Sequence, residues 1–307
     1  SGLGASVNWR LMLGLAALPA ILLLPALLRL PETGRWLILK GRDGEARLSL
    51  ARTDPDGDID AEIATIRESL GGEGGGRLRE MLQKPYLRAT VFVVGLGFFI
   101  QITGINATIA YGPKIFQAMG VTTNSQSLLM AMLVQLIALI AVLASMSVVD
   151  RWGRRPILLT GISIMIVSQL AMVVTFATQD GDTFTTGQVV LGFIGLAGIN
   201  IGFVFGFGAL VWVYSSESFP ARLRGYGSSA MLGSDLLANI IIVQFFLTVL
   251  NSIGGAWSFG MFAILAGLAW IFVWRLAPET RGRELEEIQD YWVNGGRWST
   301  TNGKGAQ

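Results

Sequence analysis

QSLLMAMLVQLIALIAVLASMSVV at 126–149, DRWGRRP at 150–156 and PILLTGISIMIVSQLAMVVTFA at 156–177 read as two apolar helices joined by one charged turn. Crossing the hydrocarbon core of a bilayer takes about 20 consecutive, mainly apolar residues in a helix. Both flanks meet that length without an ionised residue. Their runs are continuous, so neither reads as a period-2 barrel strand. Gly153 allows a sharp reversal, and Pro156 suits a first helical turn, where its missing N–H costs nothing. Asp150, Arg151, Arg154 and Arg155 gather charge at one membrane face. Outward from this pair the pattern recurs at 11–30, 89–111, 187–214, 227–250 and 256–276, making seven candidate spans.

Composition agrees. Hydrophobic residues make up 52% and charged residues 14% of the 307, against about 25% charged in an ordinary globular chain. Too few charges remain to cover a water-facing surface, so much of it faces lipid. The absence of cysteine and histidine excludes a disulfide scaffold, a thiolate nucleophile, a Cys/His zinc site and a His-based triad. No acid–base pair, metal set or phosphate loop appears, so neither an enzyme nor a bound cofactor is expected. GFVFGFG at 202–208 lies within a span with no strand before it. A net charge of +2 argues against a nucleic-acid partner.

Charge sets orientation. Ten cations from Arg35 to Arg88 separate the first two spans, and Arg151, Arg154 and Arg155, then Arg222 and Arg224, then the tail arginines follow at alternate connections. The connections between them carry Lys114 alone or no cation. The positive-inside rule puts 31–87 and the C-terminus in the cytoplasm and Ser1 outside. An outside start without an initiator methionine reads as an excerpt of a longer protein. Within 31–87, Ile59, Ile63, Ile66 and Leu70 form a helical stripe capped by Asp58 or Asp60. Gly71–Gly76 reads as a flexible linker, 77–88 as a short basic helix on the membrane surface, and 295–307 as a disordered tail.

Seven spans with this orientation also fit a seven-helix receptor, but the long first inner loop and the Trp-Gly-Arg-Arg-Pro turn argue against one. Pro31-Glu32-Thr33 and Pro278-Glu279-Thr280 each follow a span on the same side and each precede arginine. Two related halves of one transporter leave such a repeat. PETGRWL at 31–37, QITGIN at 101–106, YGPKIF at 111–116, DRWGRRP at 150–156, VWVYSSESFPARLRG at 211–225 and PETRGRELEEI at 278–288 together resemble the C-terminal part of a sugar porter of the major facilitator superfamily.

That resemblance implies an all-α membrane protein, with the C-terminal six-helix bundle of the major facilitator fold preceded by one span and an intracellular helical linker. The implied domains are 1–30, the outer end and last span of the N-terminal half; 31–87, the cytoplasmic linker; 88–277, the six-helix bundle; and 278–307, a cytoplasmic tail. The implied activity is secondary transport of a sugar or polyol by alternating access, with proton coupling left open. Two alternatives remain: a non-transporting sugar sensor on the same fold, or an inactive truncated half. Expected partners are the sugar or polyol, protons if coupled, the lipid bilayer and the missing N-terminal half. The expected location is the plasma (inner) membrane, multi-pass, with a cytoplasmic C-terminus.

Several residues are expected to bind substrate. Gln101 and Asn106 are amides deep in a span, about 140° apart around a helix, and the resemblance makes them sugar contacts. The motif's first glutamine is Ile100 here. Asp235, with Asn239 one turn later, is a carboxylate inside a span, which costs about 2.5–3.5 kcal/mol even on the lenient insertion scale. It binds substrate hydroxyls, couples transport to protons, or bonds a neighbouring helix. Trp212 reads from spacing alone as a packing or interface tryptophan; the resemblance makes it the plate under the sugar ring. The family's proline-containing run before it is replaced by Gly206–Val211, where Gly206 and Gly208 still let the helix bend. Gln135 is a weaker candidate beside Ala138, where the family carries asparagine. With Ile100, Ala138 and Leu236 departing from the family pattern, no particular sugar is favoured.

The gating set follows the same resemblance. Tyr111 shuts the outer gate, and Arg154 or Arg155 pairs with Glu217. Arg151 and Arg224 stand at helix ends on the same side, as do Glu32, Arg35, Arg222, Glu279 and Arg281. An isolated exposed pair contributes about 1 kcal/mol or less, so a network is expected.

Overall fold

The computed structural model describes residues 10–11, 14–15, 17–53, 58–71, 78–180, 183–283 and 285–298. It is all-α and divides into two compact units, Ser1–Gly74 and Gly75–Gln307.

The first unit holds α1 (Leu18–Leu27), α2 (Gly34–Leu39), α3 (Asp43–Thr53) and α4 (Ile59–Gly71). Thr33 closes the Pro-Glu-Thr triplet by capping α2, its side chain accepting from the Trp36 N–H. Asp58 caps α4, accepting from the N–H groups of Asp60 and Ala61 at 3.1 Å each. The expected stripe is real: Ile63 is buried with Leu37, Ile38, Ala46 and Leu50, and Ile59 and Ile66 flank it. Arg67 bonds Asp43 at 2.6 Å and Arg47 bonds Asp60, tying α4 to α3 on the rim. The side chain of Leu70 and the glycines at 72–76 lie outside the described residues.

The second unit runs α5 (Leu78–Met81), α6 (Leu87–Ile102), α7 (Ile105–Ala118), α8 (Asn124–Trp152), α9 (Arg154–Ala177), α10 (Thr186–Phe203), a π-helical turn (Val204–Gly208), α11 (Ala209–Glu217), α12 (Ala221–Leu276) and α13 (Leu285–Val293). Among the described residues five helical segments are long and apolar enough to cross a membrane: Leu87–Ala118, Asn124–Ser145, Arg154–Ala177, Thr186–Glu217 and Arg222–Leu276. The last contains two spans, because α12 is interrupted at Gly254, which takes φ 82° and ψ 168°. Six of the seven expected spans are therefore present. Of the first, the described helix is Leu18–Leu27, shorter than a span, and residues 12, 13 and 16 lie outside the description.

One expectation changes, and one element goes beyond the sequence reading. The basic helix at 77–88 is confined to Leu78–Met81, and the chain turns before α6 begins at Leu87. Pro85 has no N–H to continue a helical ladder. The tail contains α13, which buries Ile288, Tyr291 and Trp292. Trp292 stacks on Phe92 of α6 at 5.2 Å, and Phe92 meets Tyr214 of α11 edge-on at 5.3 Å. Residues 299–307 of the expected disordered tail lie outside the described residues.

Helices α9 and α10 meet where side chains are missing. A Cβ on Gly161 would sit 2.4 Å from Gly206 Cα and 2.5 Å from the Gly202 carbonyl oxygen. Small residues allow such close approach between membrane helices, which lack a hydrophobic drive to associate. Gly161→Ala is expected to lower the thermal midpoint of the purified protein in detergent, at a cost of about 1–3 kcal/mol for overpacking. Gly267→Ala, where nothing lies within 4 Å, serves as the control and leaves the midpoint unchanged or higher. Equal midpoints for both variants would refute the packing role of Gly161.

Candidate functional site

The expected span at 89–111 is two helices. α6 stops at Ile102 and α7 starts at Ile105, with Gly104 between them at φ 87°. That left-handed conformation favours glycine, and a Cβ here would also lie 2.6 Å from the Phe262 ring. Breaking a helix inside a bilayer orphans backbone groups, which must find protein partners. Gln169 of α9 supplies one: its Nε2 donates to the Thr103 carbonyl at 2.9 Å, and both residues are fully buried.

Three expected residues meet at this break. Gln101, on the last turn of α6 and 8% exposed, accepts through Oε1 from Asn106 Nδ2 at 2.8 Å. The same Gln101 amide faces the Asp235 carboxylate on the first limb of α12. Asp235 is 8% exposed, and among the described residues no cation acts on it. The result is a chain Asp235–Gln101–Asn106 drawn from three helical segments. Asn239, one turn beyond Asp235, has a buried Oδ1 that finds no partner among the described residues. It lines a cavity of about 270 Å³ with Ile240, Val243 and Gln244.

Tyr111 ties α7 to the same limb of α12. Its hydroxyl donates to the Val243 carbonyl at 3.0 Å, and its ring stacks on Phe246 at 5.6 Å. Trp212 stands apart. It follows the π-helical turn at Val204–Gly208 and is 47% exposed. No ring contact or side-chain hydrogen bond joins it to the chain of three among the described residues. Gly206 serves close packing against Gly161 as much as bending, while a Cβ on Gly208 would meet the Phe203 carbonyl oxygen at an ordinary 3.8 Å. Ile100 and Ala138 are buried and Leu236 is exposed.

The arginine-rich helix ends form the network the sequence anticipates, with a different centre. Glu279 caps α9: its carboxylate accepts from the backbone N–H groups of Arg154 at 3.0 Å and Arg155 at 3.2 Å, and from Arg281 N–H at 3.0 Å. A carboxylate at a helix N-terminus meets both orphaned donors and the positive end of the dipole. Gly153, at φ 93°, admits it, since a Cβ there would lie 2.8 Å from Glu279 Oε2. Arg154 is the arginine that pairs with Glu217, at 3.1 Å, and it also donates to the Thr280 carbonyl at 2.7 Å. Arg155 turns instead to the Trp274 carbonyl at 2.5 Å. Arg151 contributes its carbonyl, which accepts from Arg281. Tyr214, fully buried, donates to the Pro278 carbonyl at 2.8 Å. Arg222 bonds Glu80 at 3.3 Å. Among the described residues Arg224 forms no ion pair, and its Nε is buried without a partner there, as are Glu217 Oε2, Ser218 Oγ and Thr280 Oγ1.

Sequence reasoning passed over Gln169 and Asn200, both buried amides in spans, and Tyr214. The available signal was the one applied to Gln101: an amide inside an apolar run needs a partner.

These features define an integral, multi-pass α-helical membrane protein with a polar chain at a broken helix and a charge network at one face. Residues 1–292 match the family model described as sugar (and other) transporter. The chain belongs to that family, within the major facilitator superfamily. It is 32% identical over 325 residues to polyol transporter 5 of Arabidopsis thaliana, covering 99% of this chain and 60% of the relative. Its fold matches the proton:xylose symporter XylE bound to 6-bromo-6-deoxy-D-glucose, with TM-score 0.76, 25% identity, and coverage of 95% of this chain and 61% of that one. The inward-open xylose transporter XylE from E. coli matches with TM-score 0.71, 26% identity, and coverage of 95% and 59%. The chain thus spans about 60% of the length of the relatives it matches.

Glu279→Ala leaves two part-buried N–H donors at the start of α9 without their acceptor, a loss of up to about 1–3 kcal/mol for each such group. A thermal midpoint several degrees lower is expected in detergent, with Arg281→Ala causing a smaller drop. A midpoint equal to that of the parent protein would show that Glu279 is dispensable.

Proposed function

We propose that this chain forms the C-terminal part of a secondary transporter that moves a sugar or polyol by alternating access. The observation that carries the reading is the Asp235–Gln101–Asn106 chain at the break between α6 and α7. Amides both donate and accept, which matches hydroxyls, and transporters of this kind place such groups on discontinuous helices near mid-membrane. The named activities of the polyol and xylose transporters it resembles support the same substrate class. No chemical conversion is involved.

In this reading Gln101, Asn106, Asp235 and Asn239 contact substrate from one side, and Trp212 faces the cavity from α11. The rest of the cavity belongs to an N-terminal half. The apolar core of Asn124–Ser145 is only 17% buried, against 67% for Leu87–Ala118. A face for another half accounts for this low burial. Residues 1–30 then end that half, 31–87 link the halves in the cytoplasm, 88–277 make the bundle and 278–307 form a cytoplasmic tail. The alternating cation-rich connections support that orientation, and the membrane proposed is the plasma (inner) membrane.

Tyr111 closes the gate remote from the arginine-rich face, and Arg154–Glu217, with Arg151, Arg155 and Arg224 around it, holds the opposite gate. The buried, unpartnered atoms of Glu217, Ser218, Arg224 and Thr280 fit a network that exchanges partners between states.

Uptake of labelled pentoses, hexoses and polyols into proteoliposomes carrying the protein from its complete coding sequence tests the reading. Gln101→Ala is expected to raise KM about tenfold or more, since an unpaired buried polar group costs about 1–3 kcal/mol. Absence of uptake across the whole panel would sink the proposal. Asp235→Asn is expected to abolish any dependence of uptake on a proton gradient; retained coupling would assign the proton to another group. Because the chain has no cysteine, single introduced cysteines are unambiguous reporters. Glu217→Gln should increase labelling of positions on the arginine-rich side of the cavity, and an unchanged pattern would remove Glu217 from the gate.

A further inference from the structure

A second polar pocket lies between α7, α8 and α10, in the half of the bundle remote from the arginine-rich face. It has a volume of about 240 Å³, below the roughly 300–1,000 Å³ of a pocket that engulfs a whole small molecule. Thr108, Gln135 and Asn200 line it together with apolar walls that include Ala131 and Leu196.

Its polar groups are not used up by the fold. Asn200 is 3% exposed, and the one hydrogen bond of its side chain among the described residues runs from Nδ2 to the Leu196 carbonyl at 2.9 Å. Its Oδ1 has no partner there. Asn200 itself lines the pocket. Gln135 makes no side-chain hydrogen bond among the described residues and is exposed within a span. Thr108 donates its hydroxyl to the Ile105 carbonyl at 2.7 Å, which leaves its oxygen free to accept. A buried amide carbonyl without a donor is costly, and a polar side chain in a span points toward water, protein or cargo rather than lipid.

The lining contains no ionisable residue, so it does not select a charged ligand. Two amides and a hydroxyl among aliphatic walls suit a group that donates and accepts hydrogen bonds beside C–H surface, which describes a polyhydroxylated carbon chain. The pocket is also placed to share a ligand with the first site. Ile109 and Ala110, which line it, stand three and four residues after Asn106 and so on its face of α7. One helical turn, about 5.4 Å, separates Asn106 from the pocket edge.

We infer that this pocket is a second hydroxyl-binding subsite, which holds the far end of a linear polyol or extended sugar whose near end sits at Asn106. The inference rests on the transport reading above and adds selection by substrate length.

Equilibrium binding of four-carbon and six-carbon polyols to the purified protein from its complete coding sequence tests it. Gln135→Leu removes no bond of the fold, and Asn200→Leu removes one; both are measured against Gln101→Ala. The subsite requires that Gln135→Leu and Asn200→Leu weaken six-carbon polyols about tenfold and leave four-carbon polyols within about twofold of the parent, as expected for one lost hydrogen bond to a buried group. Gln101→Ala weakens both lengths. If Gln101→Ala weakens both while Gln135→Leu affects neither, or both equally, the subsite is overturned and the transport reading stands. If the parent protein binds no polyol or sugar of either length, both fall together. Should Asn200→Leu fail to fold, Gln135→Leu decides alone.

Discussion

In hydrocarbon no water completes the backbone's hydrogen bonds, so each N–H and C=O released from a helix must be met by the protein. That constraint organises the second unit around the break at Gly104. A continuous α6–α7 helix would leave Gln101 and Asn106 on diverging faces. With Gly104 left-handed, the two amides bond one another at 2.8 Å, and the carbonyl given up at Thr103 is held by Gln169 from α9. The polar centre thus exists because a distant helix settles the backbone. Phe262, against Gly104, leaves no volume for a side chain and keeps the break narrow.

The opposite end solves a related problem with charge. Gly153 turns the chain so tightly that α9 begins immediately after α8, with no residue free to serve as a side-chain cap. The orphaned N–H groups of Arg154 and Arg155 go to Glu279, which follows the last span. One carboxylate therefore ties α9 to the chain leaving α12. Arg154 extends the tie to Glu217 at the end of α11. Because these bonds are charge-assisted and partly buried, each is stronger than an exposed surface pair. Their clustering concentrates at one face the contacts that a rearrangement of α11 against α9 would have to break.

Apolar runs and their length made the helices legible in the sequence, and glycine with proline marked the turn at Gly153. The stripe through Ile63 and the cap at Asp58 were equally open to reading, because both depend on neighbours within four residues. What stayed hidden depends on distant partners. An apolar run looks the same whether it is one helix or two, so the break at Gly104 did not show. Glu279 appeared as one half of a repeated triplet, and its place as the cap of α9 arises only when residues 125 apart in sequence meet. Helix α13 is a different case. Ile288, Tyr291 and Trp292 recur at helical spacing and were open to reading; what the sequence could not show is that Trp292 packs on Phe92.

Asp235 connects these observations. A carboxylate in a span without a cation is tolerated only where donors face it, and among the described residues the fold supplies the Gln101 amide. In the proposed transporter the remaining donors come from a bound hydroxyl or from a proton, both of which leave when the cargo leaves. The empty and loaded states therefore differ in energy at this position by more than a neutral amide would produce. A ligand shifts a conformational equilibrium only through such a difference between states. An acid here makes the difference large, and its neighbour Gln101 stands at the end of α6, where the helix is already broken and least resists a change of angle.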